Sequence, residues 1–462
     1  MSFLAKPKKY LLASAVAVTL LPAIPTAHAA NWLMLQGTEA PNVAPVTQVW
    51  GFIQAQYEAD TSTACPAGTA QCTEGYVPPK LIGPNLTSQS SFNINRARTG
   101  VRGQNFPLDS NVNYFILAEF GNNGFTSKSG GAAKLTDASI TLNHIHGARI
   151  RAGLFKTPGP EEALQAIHVF DWVNFSEVTN QLMLERFPNR THVAANNLPY
   201  NPALTSTSQL DGFDRPVGGF RDVGVQVFDA FRFGNWEHSY ALMIGNGNGT
   251  DMTDIDNHKD AYAYLSTEKI FGGEGARSEG VKFFVWAQSG KRKYDSAGGD
   301  GIYETYDRKR SGLGVKYVGK PFKFGAEYMK GTGMIFNGPD KPTWALTNAG
   351  ISNPDAPDNG LKADANGWYV DAGWNILSTK LELDLRYDLY HRLDGSTYQL
   401  DWKTWTVGMQ YHFNPKTRLT FNWATHDINA PNQPEAGASA TTPNNNLVGI
   451  DQRYSLQLTT IF

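Results

Sequence analysis

Cysteine is almost missing from this chain of 462 residues: Cys65 and Cys72 are the only two. Two thiols cannot assemble a four-cysteine metal site, and the haem-attachment pattern C-x-x-C-H does not occur. No metal and no other cofactor is therefore expected. Long apolar runs are equally scarce. Past residue 24, no stretch approaches the ~18 apolar residues of a membrane helix. A charge excess is lacking as well. The formal charge of −2 gives no electrostatic footprint for nucleic acid. There is no G-x-S-x-G elbow for a nucleophilic serine. Gly245-Asn246-Gly247-Asn248-Gly249 has no G-x-G-x-x-G pattern behind it and reads as a turn. What the chain does have is 45 glycines and 12% aromatic residues. That mixture argues against disorder and suits many strands joined by turns.

The first 29 residues read as a secretory signal. Lys6, Lys8 and Lys9 precede a mostly apolar Tyr10–Ile24, and Ala27-His28-Ala29 is an A-x-A cleavage site. The remaining domain is expected to span 30–462. Export to an oxidising compartment predicts a small loop-closing disulfide between Cys65 and Cys72. A metal pair is the alternative, with no histidine or second cysteine pair nearby to complete it.

Alternation of period two recurs along the chain. In Leu381-Glu382-Leu383-Asp384-Leu385-Arg386-Tyr387-Asp388-Leu389 the odd positions are apolar or aromatic and the even ones charged. A helix would scatter those charges around its axis, whereas a strand puts them on one face. About sixteen such strands are predicted, centred near Gly51, Ala97, Leu117, Ser139, Ala152, Val225, Ala241, Ala263, Val285, Leu313, Ala326, Val370, Leu385, Val407, Phe421 and Leu458. Short turn-like connections alternate with long ones rich in Gly, Asn, Asp and Pro. The link from Ser266 to Gly280 is longer than this pattern wants. A hairpin hidden there, or in Gly331–Gly367, would make eighteen strands. The pattern predicts an all-β, antiparallel, up-and-down transmembrane barrel, because only a closed ring satisfies its backbone in lipid. The last stretch, Tyr454 to Phe462, alternates too, and is expected to close the ring against the first strand. A soluble β-sandwich also alternates, but has no reason to alternate its loop lengths.

Several stretches resemble the phosphate-selective porin O/P family of Gram-negative outer membranes. They are Phe92–Gly103 (FNINRARTGVRG), Leu135–Ser139, Arg151–Pro158, Phe220–Gln226 and Ile244–Gly247. Asn95 departs from the pattern, where the family often repeats Arg. Phe462, ending an alternating strand, resembles the signal by which outer-membrane proteins are recognised for insertion. The resemblance implies an outer-membrane porin, typically a homotrimer in contact with outer-membrane lipid and lipopolysaccharide. It would pass small anionic or polar solutes by diffusion, with phosphate a candidate for preference. Two other readings stand beside it: a scaffold barrel sheathing a partner, and an outer-membrane enzyme. No enzymatic activity and no catalytic residue is expected.

Parity places Arg96, Arg98 and Arg102 on one face of the second strand, and Arg149 and Arg151 on one face of the fifth. A charge facing lipid at the midplane costs ~2–4 kcal/mol, so these arginines are expected to line the pore. There they would attract anions, or pair with Glu119 and Asp137 on neighbouring strands. Ile150, Ala152 and Leu154 fit lipid. The longest connection, residues 158–216, matches by position the family loop that folds inward as a constriction. Its carboxylates Glu161, Glu162, Asp171, Glu177 and Glu185 would then oppose the arginines across the opening, and Glu161–Trp172 is long enough for a short helix. The basic runs Lys291-Arg292-Lys293 and Arg308-Lys309-Arg310 are expected beside an external loop, gathering anions or holding lipopolysaccharide phosphates. Asp251, Asp254 and Asp256 do not meet the EF-hand pattern and read as a solvated loop.

Overall fold

Alternating side chains leave the backbone two jobs: pairing every strand and leaving no edge. A computed structural model describes residues 31–35, 46–61, 90–105, 108–123, 133–183, 219–250, 252, 254, 256–272, 279–294, 304–335, 362–377, 380–397, 399–435, 444, 447 and 450–462. The first eight strands are β1 (Gln48–Asp60), β2 (Ser90–Asn105), β3 (Asp109–Glu119), β4 (Lys134–Leu142), β5 (Arg149–Lys156), β6 (Arg221–Phe233), β7 (Trp236–Gly245) and β8 (Asp260–Gly272). The second eight are β9 (Glu279–Tyr294), β10 (Glu304–Gly319), β11 (Phe322–Thr332), β12 (Asp364–Leu377), β13 (Leu381–Arg392), β14 (Leu400–Asn414), β15 (Thr417–Asn429) and β16 (Gln452–Ile461). Each strand pairs antiparallel with its sequence neighbours, and β1 pairs with β16, so the ring is a closed barrel. All sixteen expected centres fall inside these strands.

Closure is made by the chain end. Phe52 lies opposite Ile461 and Asp60 opposite Arg453. The Phe462 amide donates to the Gly51 carbonyl at 3.0 Å. A Cβ on Gly51 would sit 2.5 Å from the Phe462 ring, so only glycine leaves room for this final aromatic. Along β16, Tyr454, Leu456 and Leu458 are exposed while Ser455, Gln457 and Thr459 are buried. The same division holds on β13, where Glu382, Asp384, Arg386 and Asp388 all point inward.

Two expectations change, and the count of sixteen strands is kept. The link between β8 and β9 is only residues 273–278, because β8 continues past Ser266 to Gly272. The pattern of short connections at one end is thereby kept. Thr332 of β11 stands opposite Asp364 of β12, so no further strand enters the ring there and the total is sixteen, not eighteen. The basic runs lie on β9 and β10 at the ends that flank the long connection 295–303, beside a loop as expected. Lys291, Lys293 and Lys309 are exposed, whereas Arg292, Arg308 and Arg310 are buried. Strand parity splits what reads in sequence as one patch. On β5, Ala152 is outward as expected, but Leu154 is only 2% exposed. It follows Gly153, whose φ of +127° interrupts the alternation.

The buried apolar cluster is inside the ring. Leu164, Val178, Leu182 and Met183 from the β5–β6 connection pack there with Phe284, Trp286, Tyr369 and Tyr390 from the wall. Trp32 and Leu33 join the same cluster, and Asn31 donates to Glu237 at 2.9 Å near the short-connection end of β7.

Candidate functional site

The connection after β5 determines what the barrel interior contains. Pro160 precedes a single helical turn, α1 (Glu161–Leu164), and holds the extended φ/ψ of −56°/150° that starts it. A π-helical turn follows at Val178–Met183. Between them the chain visits much of the wall. The Glu161 amide donates to Glu327 of β11 at 3.1 Å. The Ile167 carbonyl accepts from Gln54 of β1, and that of Phe170 from Arg418 of β15. The Val173 amide donates to Asn422 of β15 at 2.7 Å, and the side-chain amide of Asn174 to Glu58 of β1 at 3.2 Å. Arg310 of β10 donates to the Leu182 carbonyl at 3.1 Å.

Each described carboxylate of this segment has its own anchor. Glu161 accepts from Lys282 at 2.5 Å and lies 3.5 Å from Lys316. Burial would raise its carboxyl, but the two ammonium groups outweigh burial and hold it below the usual range. Glu162 accepts from Arg386 at 3.2 Å and from the Ser176 hydroxyl at 2.6 Å. Asp171 pairs with Lys323 at 2.8 Å. The Glu177 carboxylate accepts from Gln181 at 3.0 Å, while its amide donates to Asp388. Glu161, Glu162 and Asp171 therefore meet cations of β9, β10, β11 and β13, not the arginines of β2 and β5. A buried carboxylate is stabilised by the cation it touches, and these strands supply the nearest ones.

The arginines form a second arc, across β2–β6. Arg96 donates to Gln54 at 3.0 Å. Arg98 donates to Glu119 at 2.6 Å, and Glu119 also accepts from the Ala97 and Gly121 amides at 2.9 Å. Arg102 is half-buried over the Phe115 ring at 5.9 Å. Arg149 reaches Asp229 at 3.2 Å. Arg151 is fully buried, 4.4 Å from the Phe228 ring and 5.5 Å from Phe155. Asp137 is bound by Arg221 at 3.0 Å. Lys156 donates to the carbonyls of Ala163 and Gln165 at 2.8 Å, joining this arc to the inner segment.

A model of one protein family matches residues 17–430, nearly the whole ring, and its description is Gram-negative porin. The chain belongs to the Gram-negative porin family. That match is broader than the phosphate-selective O/P resemblance. No curated protein matches the chain. Among solved structures, this porin is similar to an anion-selective porin from Comamonas acidovorans, at 12% identity and a TM-score of 0.45, covering 90% of this chain and 99% of the other. It is similar to the outer membrane channel DcaP of Acinetobacter baumannii at 13% identity and a TM-score of 0.47, covering 90% and 97%. Salmonella typhi OmpF in complex with daunomycin gives 11% and 0.47, over 90% and 97%. As a member of its family the chain is an outer-membrane channel protein.

Some groups of this porin were not singled out from sequence. Arg221 is one, although it lies in the quoted Phe220–Gln226 stretch. The other is a cluster around Asp260, which is fully buried and receives both terminal nitrogens of Arg292, at 2.7 and 2.8 Å, with Arg308 at 3.8 Å. The parity of β9 and β10 was the available signal for both arginines. Cys65, Cys72, Glu185 and residues 1–29 and 184–218 lie outside the described residues, as does Asp251. Asp254 pairs with Lys259 and Asp256 accepts from the His258 amide, so neither faces an open cradle.

Proposed function

We propose that this porin passes small hydrophilic solutes by diffusion, prefers anions, and is narrowed by the segment that begins at Pro158. The observation that carries the reading is the distribution of charge around the ring. The segment brings four carboxylates inside, and three of them, Glu161, Glu162 and Asp171, are held by Lys282, Lys316, Lys323 and Arg386. On the β2–β6 arc, Arg96, Arg98, Arg102, Arg151, Lys156 and Arg221 stand against Glu119, Asp137 and Asp222. Excess positive charge along a pore wall lowers the barrier for anions. Arginine also binds phosphate through two parallel hydrogen bonds. The stretches that resemble phosphate-selective O/P porins lie on β2, β4, β5, β6 and the end of β7, which supports phosphate as the preferred anion. A scaffold role would require the interior to admit a partner, and the chain's own residues 158–183 already occupy space there. No catalytic role is assigned to any residue.

The assembly proposed is a homotrimer. Its support is the outward face of β1–β5, where Ala55, Ala97, Ala118, Ala138 and Ala152 leave gaps between larger exposed groups such as Ile53, Ile94, Ile116 and Ile140. Small residues let two walls approach closely.

Single-channel conductance in a planar bilayer under a KCl gradient tests the channel reading. Stepwise openings are expected, with a reversal potential of the sign for anion preference and a decrease in chloride current on adding phosphate. A cation-selective potential would reject the charge argument, and absence of steps would reject the pore.

A further inference from the structure

The first described residues of the chain lie inside the ring and belong to no strand. Residues 31–35 form a single turn, with the Met34 and Leu35 amides donating to the Asn31 carbonyl at 3.0 Å. Trp32 and Leu33 are 5% and 3% exposed and belong to the apolar cluster of the lumen. The Asn31 side-chain amide donates to Glu237 at 2.9 Å and also to the Ser239 hydroxyl. Both partners point inward from the start of β7, at the short-connection end, while Trp236 and His238 beside them face outward. Strand β1 starts at the same end, six places away round the ring. The turn is therefore seated across the mouth from the strand it leads into.

The charge around this seat is one-sided. Glu237 stands directly opposite Glu268 of β8. Like charges facing each other across a strand pair are destabilising. Neither carboxylate makes an ion pair among the described residues. Lys282 stands opposite Glu268 on its other side, but its ammonium is taken by Glu161 at 2.5 Å. Arg232 stands opposite Glu237 and donates to the Gly234 carbonyl at 3.3 Å. Cleavage after Ala29 makes Ala30 the first residue and puts an α-ammonium one residue from Asn31. That is the cation the two carboxylates lack. In the uncleaved chain the same nitrogen is a neutral amide.

We propose that the short-connection mouth of the barrel, at β7 and β8, is a binding site for the chain's own amino terminus. Glu237 and Glu268 hold the ammonium of Ala30, and the apolar cluster takes Trp32 and Leu33. The ligand exists only under the export reading, in which residues 1–29 are removed. Its chemical class is a short peptide with a free amino end and a large apolar third residue. Docked, the terminus narrows the mouth and offsets carboxylates that would raise the barrier for anions.

The test treats mature protein purified from membranes with an amine-reactive reagent near neutral pH, and reads the labelled terminus by peptide mass. Ala30 is expected as the first residue, and any other first residue overturns the proposal. Burying one large apolar side chain shifts a docking equilibrium by roughly ten- to a hundredfold, so the terminus of W32A/L33A should react at least about tenfold faster than that of wild type. The E237Q/E268Q terminus should react faster as well. A wild-type terminus that reacts as fast as those of the variants overturns the proposal. Conductance gives a second readout, on protein lacking residues 30–35. The peptide Ala-Asn-Trp-Leu-Met, added from the short-connection side, should lower its conductance, and the N-acetylated peptide should not. Equal effects from the two peptides, or none from either, overturn the proposal even where a substituted variant fails to fold. Absence of conductance steps in every sample would strike the pore reading instead, and the labelling rates then decide the docking by themselves.

Discussion

Glu119 shows what one residue does on the basic arc. It is fully buried and holds Arg98 at 2.6 Å while accepting from two backbone amides and from Asn123 at 3.0 Å. Removing one partner of a buried ion pair leaves the other charge uncompensated. Glu119→Gln is therefore expected to destabilise the barrel by on the order of 3 kcal/mol, read as unfolding in detergent. The double variant Arg98→Gln/Glu119→Gln should lose less than the sum of the two single changes, because the pair acts together. Additive losses would show that the two are independent. Parity in the sequence already sends both side chains inward. It does not give the partner of Asp137, which is Arg221, two strands further round the ring. A side chain's face follows from its own strand, but its partner depends on the register of others.

At the scale of the element, the segment from Thr157 to Met183 is held by charged and polar contacts as well as by its buried apolar residues, and its docking should respond to pH. His168 packs against Phe52 at 5.0 Å and Trp50 at 5.7 Å. Desolvation first, then Arg418 and Lys156, push its imidazole below the ordinary value. A depressed histidine disfavours the docked state once free imidazole begins to protonate, so docking weakens as pH falls below about 6.5. Glu161 adds a lower limb. Its pKa is depressed when docked, so its contribution is present above the ordinary carboxylate value and is lost below that, as pH falls through the depressed one. Open-channel noise, and the fluorescence of Trp172 in the same segment, should both change on acidification from about pH 7 to about pH 5. His168→Gln should remove the change above about pH 5 and keep the lower limb. A wild-type response that His168→Gln leaves unaltered would reject the assignment. Little of this was legible in advance. The sequence marks the segment as long and acidic and suggests a short helix near Glu161, but its anchors Lys282, Lys316, Lys323 and Arg386 are neighbours only because the ring brings them round. The strands, by contrast, carry their own period, which is why all sixteen could be located.

For the whole molecule, the ring presents two kinds of outer wall. From β9 to β14 the exposed side chains are large, with Phe283 at 51%, Leu313 at 59%, Leu385 at 46% and Trp405 at 50% exposure. From β1 to β5, Ala55, Ala97, Thr99, Ala118, Ala138 and Ala152 are interspersed with the larger Ile53, Ile94, Ile116 and Ile140. Lipid tails fill gaps between bulky groups at little cost, whereas a second rigid wall packs closely only against small ones. If the smooth wall is the contact in a cyclic trimer, a bulky residue there should act on assembly and leave the ring itself intact. Ala138→Trp is expected to shift the purified protein from trimer to monomer, because overpacking a close contact costs roughly 1–3 kcal/mol at each of its repeats. Leu242→Trp, on the 59%-exposed outward face of β7, should leave the mass unchanged. Native mass measurement distinguishes the two, and single-channel records add an independent check, since conductance steps grouped in threes should become single steps for Ala138→Trp alone. An Ala138→Trp protein that stays trimeric would remove β4 from the interface, and with it the argument from the small residues.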